Sequence, residues 1–251
     1  MSHIANSNIR VDNFQYRQAD KTRYVYFLSH CHEGKAGTDL VLIIYFLDHL
    51  RGLSNNWSQG KIYTSYLSKQ LILDRWPGLK DFVIDLEMDE EHWIYLDEDK
   101  RDGVSVILMD AFHCPGAVMF LFKGKMGTVL HTGDFRFAEA MFDNELLCPV
   151  ERRNPQFKGI TVECDYLHLD NTFANPEYDF PSREEAYQGL VNIVKSHKDH
   201  RIFLFSYNLG KEEVFLNLAN DFKCKIVVDE DRMRKIKLMN LKPELFTTDP
   251  T

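Results

Sequence analysis

The chain has 251 residues and a formal net charge of −8, with 38 acidic against 30 basic side chains, and it is 44% hydrophobic and 13% aromatic. That composition excludes a disordered tract, a collagen-like repeat and a small disulfide scaffold, and the length provides for one large domain or two smaller ones. The acidic balance excludes a strongly basic nucleic-acid wrapper but not a local basic groove, because net charge does not fix distribution.

The first half reads as strands joined by short loops. Tyr24 to Leu28 (YVYFL) is a β-rich run that ends at Ser29-His30, and Lys61 to Thr64 is a second short strand. Val104 to Leu108 (VSVIL) runs into Met109-Asp110. Val118 to Phe122 and Thr128 to His131 are joined by Lys123 to Gly127 (KGKMG), a hairpin-like connection. Strands that follow strands predict sheets packed on sheets with helices outside. The second half alternates. Leu167 to Leu169 is a short strand, and Ser182 to Ser196 is a helix with a serine N-cap and early Glu184 and Glu185. Arg201 to Phe205 (RIFLF) reads as a strand, Lys211 to Phe222 as a helix, Lys225 to Val228 as a strand and Asp229 to Asn240 as a helix. This change of rhythm predicts a boundary between Thr172 and Pro181.

The five cysteines, Cys31, Cys114, Cys148, Cys164 and Cys224, are odd in number and form no C-x-x-C pair, which points to reduced thiols in the cytosol or nucleus. The N-terminal MSHIANSNIRVDNF has no apolar signal core. The longest apolar run, Leu40 to Leu47, is too short to cross a bilayer, which needs ~20 residues, so no membrane role is expected.

The chemistry concentrates at strand ends. Ser29-His30-Cys31-His32 follows the first strand, where the side-chain alternation stops and two imidazoles can turn toward one spot. Asp48-His49 sets a carboxylate beside an imidazole, His113 lies in Asp110-Ala111-Phe112-His113-Cys114-Pro115-Gly116, and Asp134 lies in His131-Thr132-Gly133-Asp134-Phe135. Taken singly, Asp110 and Asp134 read as turn residues and His113 as a core histidine. Taken as four clusters in order, they favour a site for two metals bridged by a carboxylate and an activated water.

These pieces, with Leu28-Ser29-His30-Cys31-His32 and Asp48-His49-Leu50-Arg51-Gly52-Leu53, resemble the H-x-H-x-D-H and later motifs of the metallo-β-lactamase superfamily. Leu167 to Pro176 (LHLDNTFANP) and Phe205 to Val214 (FSYNLGKEEV) resemble its β-CASP branch, and within it the DNA cross-link repair nucleases, from about Asp12 to about Met239. The resemblance implies an α/β fold: a metallo-β-lactamase αββα sandwich over residues 1–175 and a β-CASP α/β domain over 176–251, C-terminally incomplete. It implies that His30, His32 and His113 hold one divalent ion, that Asp48 and His49 help to hold a second, and that Asp134 bridges them, with zinc as the expected metal. By the same resemblance Asp48, Asp134 and Asp170 are catalytic, Asp12 supports the site, and Asp170 orients a ligand.

The activity so implied is 5′-to-3′ hydrolysis of phosphodiesters at single- or double-stranded DNA ends carrying a 5′-phosphate. The implied setting is the nucleus, in cross-link repair, end processing or telomere maintenance. Ser206, Tyr207, Gly210 and Lys211, before a helix N-terminus, are the expected 5′-phosphate site, against an ordinary strand-to-helix loop. An RNA nuclease, a small-substrate hydrolase and an inactive DNA-end binder are the alternatives. Two departures stand out. Glu33 to Leu47 separates His32 from Asp48-His49 where the family has one residue; with Glu33 in that position, Gly34 to Leu47 is the excess, and the flanks rejoin as H-C-H-E-D-H-L-R-G-L, which marks the segment as foreign to a working enzyme. The chain stops at Thr251, and no residue is assigned the late histidine ligand of the second metal.

Overall fold

The structure, a computed structural model, describes residues 2–15, 23–31, 49–150, 159–206 and 209–250. The described residues divide into two units, the first running to Asp170 and the second beginning at Asn171. The segment at 34–47 lies outside the described residues.

Two five-stranded sheets build the first unit. The first contains β1 (Ser2–His3), β2 (Ile9–Val11), β3 (Val25–Phe27), β4 (Ile62–Ser65) and β5 (Val83–Leu86) in that spatial order. Its strands are parallel except at the antiparallel β1–β2 pair. The second contains β6 (Glu91–Tyr95), β7 (Gly103–Asp110), β8 (Val118–Gly124), β9 (Gly127–His131) and β10 (Tyr166–His168), ordered β10-β9-β8-β7-β6. From β6 to β9 it is an antiparallel meander, and β10 lies parallel to β9. The KGKMG connection is the β8–β9 turn, with Gly127 at φ +91°.

The sheets face each other across the main core. Ile9, Val11, Val25 and Phe27 from the first meet Val104, Val106, Leu108, Phe120 and Phe122 from the second. Phe27 sets its ring edge-on to Phe120 and Phe122, at centroid separations of 5.4 and 4.9 Å. Burying one such side chain contributes about 1.5–3 kcal/mol. The alternate residues Ile107, Met109, Met119 and Leu121 are buried on the opposite face, beneath Met141, Leu147 and Cys148. Burial on both faces explains why β7 and β8 read as unbroken apolar runs. That outer face is covered, among the described residues, by a short 3-10 turn (Glu139–Phe142) and loop.

Helix α1 (Tyr66–Arg75) lies outside the first sheet. Its N-cap Ser65 accepts the Ser68 N–H, and Lys69 Nζ reaches Asp85 of β5 at 2.6 Å. Its apolar residues are not spaced as a clear stripe, so the sequence reading missed it. The chain is thus mixed α/β, with two facing sheets and a helix outside.

In the second unit, α2 (Arg183–Ser196) begins with a complete capping box: Ser182 Oγ accepts Glu185 N–H at 3.1 Å and Glu185 accepts Ser182 N–H at 2.8 Å. Helices α3 (Glu212–Asp221) and α4 (Glu230–Leu238) flank β11 (Ile226–Val227), which pairs parallel with β12 (Phe246–Thr247). Phe215, Ile236 and Phe246 form its core. One expectation fails here. Arg201 to Phe205 forms no strand, and Phe203 and Phe205 are 71% and 97% exposed. The apolar run has β propensity, but a strand also needs a ladder partner, and none among the described residues pairs with it. No helix among the described residues is long and apolar enough to cross a membrane.

Candidate metal centre

The site grows from the ends of β2, β3, β7 and β9. Asp12 follows β2 in the left-handed region, φ +53°, which a short polar side chain tolerates. Its N–H binds Phe27 O at 2.9 Å, so the carboxylate is anchored against the end of β3. There it accepts three hydrogen bonds: from Ser29 N–H at 2.8 Å, Ser29 Oγ at 2.7 Å and His49 Nδ1 at 2.9 Å. Ser29 Oγ also lies 2.9 Å from His30 Nδ1, which fixes that ring. After β7, Asp110 Oδ1 accepts Phe112 N–H at 2.7 Å and holds Phe112 at φ +52°, one residue before His113. Asp110 is therefore a turn residue. After β9, Gly133 adopts φ +54°, and a Cβ there would sit 2.8 Å from Ser29 Cβ. The β9 turn approaches the β3 end that closely only because the residue is glycine.

Asp134 lies at the meeting point. Its Oδ2 is 3.8 Å from His30 Nε2 and 3.9 Å from His113 Nε2, and its Oδ1 is 3.2 Å from His49 Nε2. The rings gather around it, His30 to His49 at 4.2 Å and His30 to His113 at 5.0 Å between centroids. Ligand atoms of His30, His113 and Asp134 all lie within 4.8 Å of one another. Nitrogen and oxygen donors ~2.1 Å from a common divalent ion are about 3–4 Å apart. The two imidazole-to-carboxylate distances fall in that range, so the donor set suits an ion such as zinc.

The electrostatics suit the same purpose. Burial lowers the pKa of His30 to about 3, with help from His49 and against the pull of Asp12 and Asp134, so the ring is neutral and in its ligating form. Burial also disfavours charge on His49, but its hydrogen bonds to Asp12 and Asp134 outweigh this and raise its pKa to about 10. A metal-free His49 therefore holds a proton on each nitrogen, and the Nε2 proton occupies the position a metal would take. Burial works against ionisation of Asp12, but His49, His30 and His131 together lower its pKa to about 2. Asp134 is held well below the usual carboxylate range despite its burial, chiefly by the His49 hydrogen bond and charge.

The structure thus brings His30, His49, His113, Asp134 and Asp12 together. His32 and Asp48 lie outside the described residues, as does Tyr207. Asp170 places its N–H 2.9 Å from Thr132 Oγ1, beside the turn that carries Asp134. Ser206, Gly210 and Lys211 belong to the second unit. Lys211 is exposed at φ +68° and immediately precedes α3. The neighbouring Glu212 is buried, which raises its pKa. Two supporting residues escaped the sequence reading, Ser29 and His131. Both sit inside quoted motifs, but their partners are distant in sequence.

No family model matches the chain. It is 35% identical over 246 residues to 5′ exonuclease Apollo of Danio rerio, covering 98% of this chain and 38% of that protein. It is 31% identical over 254 residues to the DNA cross-link repair 1A protein of Homo sapiens, covering 98% of this chain and 21% of that protein. Among solved structures, a protein of unknown function from Enterococcus faecalis matches with a TM-score of 0.55 at 17% identity, covering 90% of this chain and 51% of the other; that likeness shows the fold alone. Along 98% of its length, then, the chain is a homologue of the Apollo and DNA cross-link repair 1A proteins, and it spans less than half of either.

Proposed function

We propose that this chain carries the catalytic centre of a metal-dependent nuclease that hydrolyses DNA phosphodiesters from 5′ ends during DNA repair in the nucleus. The observation that carries the reading is the Asp134 carboxylate, one oxygen facing His30 and His113 and the other 3.2 Å from His49. A carboxylate so placed would help to hold a pair of cations. His30, His113 and Asp134, with His32, are assigned to one zinc ion, and His49 and Asp134, with Asp48, to a second. Divalent ions held there supply a water activated near neutral pH and neutralise charge on phosphoryl oxygens. Asp12 holds the His49 tautomer and supports Ser29, and Asp170 steadies the Thr132–Asp134 turn from its far side. The region to residue 175 is assigned to the metallo-β-lactamase part and 176–251 to a β-CASP part. A 5′-phosphate is assigned to Ser206, Tyr207, Gly210 and Lys211, which the exposed cation of Lys211 supports. Homology to proteins named for exonuclease activity and cross-link repair supports DNA as the substrate.

The test is digestion of 5′-phosphorylated and 5′-hydroxyl DNA oligonucleotides, and of matched RNA, with zinc or manganese. Stepwise loss from the phosphorylated DNA end, abolished by Asp134→Ala with the fold intact, is the expected result. A zinc-loaded protein that leaves DNA whole, or an Asp134→Ala variant that still cleaves, refutes the assignment.

A further inference from the structure

His131 is the last residue of β9, only 7% exposed, and no metal role falls to it. Gly133 donates its N–H to His131 Nδ1 at 3.1 Å. That nitrogen is therefore the acceptor, the ring proton sits on Nε2, and Nε2 donates to Ser2 Oγ of β1 at 2.6 Å. The ring lies nearly parallel to His168, its register partner on β10, at 5.3 Å and 18°. On the other side of the turn, Thr132 Oγ1 donates to Gly133 O at 2.9 Å and accepts Asp170 N–H at 2.9 Å. Gly133 is the most permissive point of this turn, so the direction of Asp134 depends on how its peptides are held.

We propose that His131 is a positioning residue: it clamps the Gly133 amide so that Asp134 is presented to His30, His49 and His113, and Ser2 locks the ring in the tautomer this requires. This inference rests on the metal reading above. Ligand geometry is sensitive to such supporting contacts, whose removal lowers metal affinity about 10–100-fold.

The test compares three substitutions in the full chain. His131→Asn keeps an acceptor where Nδ1 stood, His131→Gln reaches only toward Ser2, and His131→Leu keeps neither. Zinc affinity is read by competition with a chromogenic chelator, and protection of the Gly133 amide by hydrogen exchange in the metal-free protein. The expected result is near-native affinity and protection for His131→Asn, with a loss of about tenfold or more for His131→Gln and His131→Leu. Equal losses for the Asn and Gln variants, or full affinity in the Leu variant, overturn the proposal. Should the Leu variant fail to fold, the Asn and Gln pair decides alone. Should the wild type take up no zinc, the metal reading fails, and Gly133 protection still decides whether His131 clamps the turn.

Discussion

Replacing Asp12 by Asn tests the support of the centre without changing its shape. The Asn carbonyl can keep the Ser29 N–H bond, found at 2.8 Å. Its amide nitrogen then takes the position of Oδ2, which accepts from Ser29 Oγ at 2.7 Å and His49 Nδ1 at 2.9 Å. An amide nitrogen only donates, so His49 Nδ1 must become the acceptor and Nε2 must keep the ring proton. That tautomer cannot ligate a metal. All three hydrogen bonds to Asp12 also lose the carboxylate's charge, together about 2 kcal/mol. The lowering of the Asp12 pKa from 3.8 to about 2 gives a similar figure, about 2 kcal/mol. Urea unfolding of the metal-free protein at pH 7 should therefore show a loss of about 2 kcal/mol, and zinc affinity should fall about 10–100-fold. Asp12→Ala, which strands three buried donors, should cost about 3–5 kcal/mol. An Asn variant with native stability and native zinc affinity would refute the idea that Asp12 sets the His49 tautomer.

In the metal-free protein, stability should peak near pH 6.5. Above that, the raised pKa of His49 means its contribution is lost as the pH climbs toward about 10. Below it, His30 and His131, buried neutral with pKa values of about 3 and about 4, leave the unfolded chain binding more protons, and Asp12 adds to the loss between pH 3.8 and 2. Each group contributes up to about 1.4 kcal/mol per pH unit within its window; unfolding titrations from pH 3 to 10 measure this, and His49→Ala should flatten the alkaline limb. Gly133→Ala places a Cβ 2.8 Å from Ser29 Cβ at φ +54° and should cost about 2 kcal/mol by denaturant unfolding while weakening zinc uptake. Phe120→Ala empties a fully buried site against Phe27 and should cost about 3–5 kcal/mol, read as a lower denaturation midpoint. Ser182→Ala removes one arm of the α2 capping box and should cost about 1 kcal/mol, seen as loss of helical circular dichroism at a lower temperature.

Much of the architecture is legible in residue order. The apolar runs of β7 and β8, the glycine turn after Met126 and the Ser182–Glu185 box are local signals, and local physics decides them. His30, His113 and Asp134 stand out because each follows a strand, where alternation ends and a side chain is free to turn inward. Other features have no local cause. Residues 201–205 carry a strand's composition yet form none, since pairing depends on a neighbour that sequence cannot supply. The roles of Asp12 and His131 depend on partners, Ser29, His49 and Ser2, that lie far along the chain and meet only through the strand order of the two sheets. Composition and motif determined which chemistry the chain carries. Only the folded sheets decided that one carboxylate would stand among three imidazoles, because distances between loops are set by strand pairing and core packing rather than by the loops themselves.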